Sequence, residues 1–246
     1  MPAYNCEKFI RVSINSIINQ SYKNWEVIII DDCSTDKTAD IIMNYTNKDK
    51  RIKFLRLNVN SGAAIARNRG INIAKGEFIA FLDSDDYWKK EKLYKQINFM
   101  KKNQFNFTCT DYAKINESGE FLNKVIKSRE QSNYEQLLKT CPGNSTVVYN
   151  ANILGKYNIP DIKKRNDYLM WLQVIKKAGI LYGYQEILST HRIRAGSISK
   201  GKFDLIKYHW KIYREFEELT YSKSIYLIFY WGLKTIFSKV SNLKKS

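Results

Sequence analysis

Three short strand-like runs, at residues 25–30, 52–57 and 77–82, alternate with helical periodicities across the first hundred residues. The first run is β-branched and almost continuously apolar, as a strand covered on both faces must be. Ahead of it, Phe9, Ile10, Ile14, Ile17 and Ile18 recur at helical spacing, with Asn5 expected as the N-cap. After it, Ser34-Thr35-Asp36 predicts the start of a helix reaching about Tyr45. Ser61-Gly62 opens another, with Gly76 as its expected C′ stop, and a further helix is expected over 89–101. This βαβαβ order dictates an α/β fold: a mostly parallel sheet flanked by helices on both faces.

The second half is less regular. Strands are expected at 106–111 and 146–149, and helices at 133–139 and 167–178. Beyond Lys202 the pattern is helical to the end and rich in aromatics and lysine. The 246 residues fit one large domain with a helical extension, here divided as 1–200 and 201–246, the first with halves of about 1–105 and 106–200.

The formal charge of +17 points to nucleic acid, an anionic membrane surface or an anionic substrate, unless the lysines only solubilise the surface. Cys6, Cys33, Cys109 and Cys141 form no C-x-x-C pair, and no His stands at ligand spacing from them, so a zinc site is not expected. The first residues lack a basic region followed by an apolar one, so no signal peptide is expected and the thiols are expected free in a reducing cytosol. The stretch most like a membrane span, 225–237, is too short and carries Lys234.

Two acidic clusters carry the chemistry. Asp31-Asp32 follows one buried strand and Asp83-Ser84-Asp85-Asp86 follows another. Parallel strands end on one sheet edge, where ligands bind, so the carboxylates are expected to converge. Converging carboxylates repel unless a cation lies between them, and oxygen donors suit hard ions such as Mg²⁺ or Mn²⁺. Either cluster alone would pass for an ordinary turn or cap. Between them, Asn60-Ser61-Gly62-Ala63-Ala64 allows close backbone approach at a helix start that offers N–H groups to anions, with Arg67 and Arg69 adding charge. A small-residue helix packed on the sheet accounts for the same residues.

The order and spacing of these segments, together with Pro2-Ala3-Tyr4-Asn5 and Ala66-Arg67-Asn68, resemble the family 2 glycosyltransferases of the GT-A fold. Lys164-Arg165-Asn166-Asp167 and Arg192-Ile193-Arg194-Ala195-Gly196-Ser197-Ile198-Ser199 fit the same pattern. The whole resembles bacterial enzymes of teichuronic-acid and capsular polysaccharide assembly. The resemblance implies that Pro2, Ala3 and Tyr4 line the base of a nucleotide-sugar, UDP-linked by expectation, and that Asp31 or Asp32 accepts a base N–H. It places Asn60 and Arg67 near base, ribose or phosphate, Asp83 and Ser84 on ribose or donor sugar, and Arg192 or Arg194 on phosphate. Asp85, with Asp83, would hold the metal; Asp167 would be the general base; Trp171 and Asn166 would face acceptor or donor sugar. The implied acceptor is a saccharide or polyprenyl-linked saccharide.

The resemblance also implies an apolar strand ahead of Pro2, so the first strand is expected to be missing here, leaving a gap or an exposed edge. The aromatic, basic residues 208–230 suit a membrane headgroup region, which predicts a cytoplasmic protein peripheral on the inner face of the membrane. Three alternatives were weighed: a truncated, inactive relative that still binds nucleotide; a nucleotidyltransferase; and a nucleic-acid binder. The second lacks its Gly-rich basic loop after a first strand. No helix-turn-helix, zinc or RNP signature supports the third, so no nucleic acid is expected.

Overall fold

The computed structural model describes residues 1–194 and 202–243. The N-terminal half builds β1 (Pro2–Ala3), α1 (Ile10–Ile18), β2 (Val27–Asp31), α2 (Thr38–Thr46), β3 (Ile52–Arg56), α3 (Ala63–Ile73), β4 (Phe78–Ala80), β5 (Tyr87–Trp88) and α4 (Lys92–Asn103). β1, β2 and β3 pair in parallel, in that spatial order. β2 is buried along its whole length, which is why its sequence does not alternate.

Two expected caps lie elsewhere. Asn5 takes a left-handed backbone and its side chain accepts from Thr35 N–H, stapling the turn after β1 to the turn after β2. Helix α3 ends at Ile73 with Ala74 already extended, so Gly76 is not its stop. The α3 start is capped from outside: both carboxylate oxygens of Asp32 accept N–H groups, from Ser61 at 2.7 Å and Gly62 at 2.8 Å. Gly62 sits at φ 89°, a conformation side-chain-bearing residues rarely adopt.

The rest of the chain gives β6 (Phe107–Ile115), β7 (Phe121–Ile126), β8 (Gln131–Ser132), α5 (Tyr134–Leu137), a 3₁₀ turn at Asn144–Thr146, β9 (Val148–Asn150), α6 (Ala151–Leu154), α7 (Asn166–Ala178) and β10 (Leu181–Arg192). The second sheet runs β4-β9-β6-β10-β5, with β7 on β6 and β8 on β10. Its β6–β10 pair is parallel; its other pairs are antiparallel. Helix α8 (Lys202–Lys211), a π-helical turn (Ile212–Phe216) and α9 (Tyr221–Leu243) follow. Ile212, Tyr213 and Leu227 enter the core of the second half, and the Tyr168 and Tyr213 hydroxyls both donate to the Leu138 carbonyl.

An open space lies between the two sheets. Met1 N donates to the Ile28 carbonyl and Ile30 N–H to the Met1 carbonyl, and β1 is in register with β2 at Ile30 and Asp31. β4 pairs with β9 on one edge only. A cavity of about 490 Å³ lies there, lined by Val27 and Ile28 of β2, Phe78 and Ala80 of β4, Ile71 of α3 and Ile97 of α4.

Candidate active site

Asp83 closes the buried segment that ends β4, and Arg67 reaches it from α3. The Arg67 guanidinium donates to Asp83 at 2.7 Å and to the Asn166 amide oxygen at 2.5 Å, so one side chain ties α3, the β4 loop and the start of α7 together. Asn144, in the 3₁₀ turn, donates to the same Asp83 oxygen at 2.8 Å. Burial alone would raise the Asp83 carboxyl; the Arg67 charge and hydrogen bond outweigh it and hold it below the usual carboxylate range.

Asp85 has the opposite balance. Burial and the Asp83 charge push it up, and Arg194, at 2.6 Å, only partly restores it. Asp86 is fully buried. Its side chain accepts from Ser145 Oγ and from Arg192 N–H, and burial with two neighbouring carboxylates raises it well above the usual value. It therefore braces the loop and does not cap α4, which begins only at Lys92. Ser13 of α1 donates to the carbonyls of Ser84 and Asp86, and Ser145 Oγ accepts from Asp83 N–H. The acidic loop is thus held from three sides.

Asp167 stands in the first turn of α7, half-buried, and its charge acts on Tyr112, Cys141 and His191. The His191 ring faces Tyr112, with Nδ1 3.9 Å from Asp86. Asp83, Asp85, Asp167 and His191 therefore belong to one electrostatic neighbourhood.

Several expected contacts are corrected by burial. Trp171 is completely buried, edge-on to Phe81 with ring centroids 5.0 Å apart, so it presents no surface to a sugar. Asn166 is buried and its amide oxygen serves Arg67. Arg192 is buried; its guanidinium donates to the carbonyls of Asp85, Asn116 and Glu117, which removes it from phosphate contact. Asp31 is fully buried, bonded to Ser34 and paired with Arg56, and Asp32 caps α3, so the first acidic cluster holds its own loops together. Ala3 is buried, while Tyr4 and Asn60 are exposed and Pro2 and Ser84 partly so. Ala195 to Ser199 lie outside the described residues. Asn144 and Ser145 carry no spacing signal in the sequence, because single polar residues in a loop have none.

Among the described residues no three His, Cys, Asp or Glu side chains form a metal cluster. The donor set still suits a hard cation. Two carboxylates, Asp83 and Asp85, repel one another in a partly buried cleft, and a divalent ion relieves that repulsion where Arg194 now does so in part.

The site thus consists of carboxylates at a strand end of an α/β fold, joined through Arg67 to a helix that carries a further carboxylate. Residues 1–159 match the family described as Glycosyl transferase family 2, and the chain belongs to that family. It is 41% identical over 224 residues to TuaG of Bacillus subtilis, named as a glycosyltransferase of teichuronic acid biosynthesis, covering 91% of this chain and 89% of the relative. It is 38% identical over 234 residues to WfgD of Escherichia coli, a UDP-Glc:alpha-D-GlcNAc-diphosphoundecaprenol beta-1,3-glucosyltransferase, covering 94% and 90%. Among solved structures, S. aureus TarS 1–349 in complex with UDP-GlcNAc superposes with a TM-score of 0.73 at 22% identity, covering 94% of this chain and 69% of that one. A longer TarS chain is covered to only 39% of its length. The TarS likeness confirms the GT-A fold.

Proposed function

We propose that this glycosyltransferase moves a sugar, with inversion, from a UDP-linked donor to a lipid-linked saccharide in the assembly of a bacterial surface polysaccharide. The observation that carries the reading is the repelling Asp83–Asp85 pair, locked through Arg67 to Asn166 at the start of α7, with the half-buried Asp167 the next residue on that helix. Asp85, with Asp83 beside it, would hold the Mg²⁺ or Mn²⁺, whose chemistry there is charge neutralisation on a leaving diphosphate. Asp167 would take the proton of the acceptor hydroxyl, and attack from the face opposite the diphosphate inverts the anomeric centre. Tyr4, exposed at the end of β1, offers a ring to a base. The named substrates of WfgD and WfaP, both UDP-Glc and a diphosphoundecaprenol-linked acceptor, support this choice of donor and acceptor.

The test is a panel of nucleotide-sugars with and without Mn²⁺, read as donor turnover. Asp167→Asn is expected to cut transfer by roughly two to four powers of ten, the usual contribution of a general base. Undiminished transfer in Asp167→Asn, or in Asp85→Ala, would remove this reading.

A peripheral site on an anionic membrane belongs to the same proposal. No described helix is long and apolar enough to cross a bilayer. On α9, however, Tyr221, Ile225, Phe229 and Leu233 recur every fourth residue on the outer face, each at least 40% exposed. Arg214 lies over the Tyr221 ring and Lys223 stands beside the stripe. An apolar stripe with basic flanks suits a headgroup boundary. Sedimentation with phosphatidylglycerol vesicles is the check: Ile225→Asp with Phe229→Asp is expected to release the protein, and equal pelleting would exclude the stripe.

A further inference from the structure

Helix α9 carries two stripes open to solvent on neighbouring faces. Ile225, Phe229 and Leu233 form the apolar one; Tyr226, Tyr230 and Lys234 follow it one residue on, about 100° round the helix. Ser224 and Leu227 are buried on the remaining side. Lys139, just after α5, lies along the second stripe, its ammonium 5.2 Å from the Tyr226 ring centroid and 5.5 Å from that of Tyr230. Lys234 ends the stripe and donates to Thr140 Oγ1 at 3.0 Å, so both ammonium groups lie between α9 and residues 139–140. Burial lowers the Lys234 ammonium, and the charge that adds to this is a third cation, Arg129. The acid on this flank, Glu135, is held by Lys223 at 2.7 Å. Among the described residues Lys139, Lys234 and Arg129 form no ion pair.

Resting on the membrane reading above, we infer that Lys139, Lys234 and Arg129 bind the headgroup phosphate of an anionic membrane lipid, whose acyl region meets Ile225, Phe229 and Leu233. Like charges gathered on a partly buried surface repel, and an anion between them removes the repulsion. On a helix lying in the interface with its apolar stripe down, a stripe about 100° away stands at headgroup depth, the level that tyrosine rings also favour. The lipid therefore answers the cations with its phosphate and the exposed apolar stripe with its chains. The same contact fixes where the active site stands. Thr140 is four residues ahead of Asn144, which donates to Asp83, and that stretch of chain spans at most about 14 Å. A lipid-linked acceptor carries its phosphates in the same layer, so the acidic loop is held close to where the acceptor is presented.

Sedimentation with phosphatidylglycerol vesicles, against phosphatidylcholine vesicles of the same size, tests this without any transfer. Wild-type protein is expected to bind the anionic vesicles at least tenfold more tightly. The Lys139→Gln, Lys234→Gln double variant is expected to lose that preference and keep the weaker binding to phosphatidylcholine. The Lys139→Arg, Lys234→Arg double variant is expected to keep the preference, and a thermal melt separates loss of the site from loss of the fold. Lys48→Gln with Lys50→Gln removes the same charge from the turn between α2 and β3 and is expected to change nothing. An equal loss in that control would reduce the effect to net charge and overturn the site. So would an unchanged preference in the Lys139→Gln, Lys234→Gln protein, which leaves the membrane reading standing. Release from the anionic vesicles by inorganic phosphate, but not by chloride of equal ionic strength, would assign the cations to a soluble phosphate and overturn the lipid headgroup. Binding to neither vesicle would sink the membrane reading itself.

Discussion

The Arg194 guanidinium lies 2.6 Å from the Asp85 carboxylate, in the position from which a cation would relieve the repulsion between Asp85 and Asp83. On the proposed reading Arg194 would compete with a metal for Asp85, and would be released to pair with phosphate when a diphosphate arrives. Removing it should leave Asp85 with only the weaker influence of His191 against the Asp83 charge. Arg194→Ala is expected to bind Mn²⁺ about tenfold more tightly, roughly 1.4 kcal/mol, in a titration followed by electron paramagnetic resonance. An unchanged affinity would show that Arg194 does not hold Asp85 in solution.

Arg67 has no such freedom. Its side chain is only 9% exposed and satisfies Asp83 and Asn166 together. Arg67→Met would leave a mostly buried carboxylate unpaired, a change that costs about 3 kcal/mol or more. Because Asp83 remains partly open to solvent, the lower end is expected, as a fall in the urea midpoint at pH 7. Arg67→Lys should recover only part of it, since an ammonium cannot bridge both partners in the geometry of a planar fork. A loss equal to an ordinary surface pair, below about 1 kcal/mol, would show that Asp83 finds another partner.

Particular elements show how far the residues could be read unaided. The parallel β2–β3 pair and the position of the acidic loop followed from periodicity and turn chemistry, because they are local patterns; β1 did not, and the run at 77–82, expected in the same parallel sheet, gives β4, which pairs antiparallel with β9 in the second sheet. β10 was not foreseen, although it carries His191, Arg192 and the longest pairing in the fold. Its register shifts between Tyr184 and Ile187 and again between Ile187 and Ser189, which breaks the two-residue alternation that marks a strand. Gly183 within it is also misleading as a turn signal: a side chain there would meet the Arg129 carbonyl at 2.0 Å, so the glycine marks a close approach of two segments. Asp32 and Trp171 were assigned to ligands because motif residues look alike whether they touch substrate or hold the loop. Only the tertiary contacts, with Ser61 and Gly62 for one and Phe81 for the other, separate the two cases.

Asp86 illustrates the same distinction and yields a test. One oxygen accepts from Arg192 N–H and the other from Ser145 Oγ, so the position needs two acceptors or an acceptor and an adaptable donor. The raised carboxyl means that a charge is not what the site requires. Asp86→Asn is expected to melt within about 1 kcal/mol of the wild type, because an amide oxygen serves Arg192 and the serine hydroxyl can turn to donate or accept. Asp86→Leu leaves both partners buried and unsatisfied and should cost about 2–6 kcal/mol, at about 1–3 per orphaned group. Similar melts for the two variants would contradict the bracing role.

The cavity between β2 and β4 makes the sharpest stability prediction. The Met1 ammonium points into it, donating to the Ile28 carbonyl, and burial followed by the Arg67 charge lowers its pKa from 8.0 to about 5. An amine whose folded pKa is depressed binds fewer protons folded than unfolded between those two values. Stability therefore rises with pH from about 5 to 8 and is flat below, by at most about 4 kcal/mol and less if water shares the cavity. Extending the chain upstream of Met1 by four or five apolar, β-branched residues converts the ammonium to an amide. The added strand can then pair with both β2 and β4, and each buried side chain contributes about 2 kcal/mol against about 1–2 kcal/mol of ordering per residue. The extended chain is expected to melt several degrees higher at pH 6, at about 2–4 °C per kcal/mol for a chain of this size, and to lose the pH slope. An extension of alternating Asp and Lys should remove the slope without the gain in melting temperature. If the apolar extension also leaves the melting temperature unchanged, the space between β2 and β4 does not accept a strand in solution.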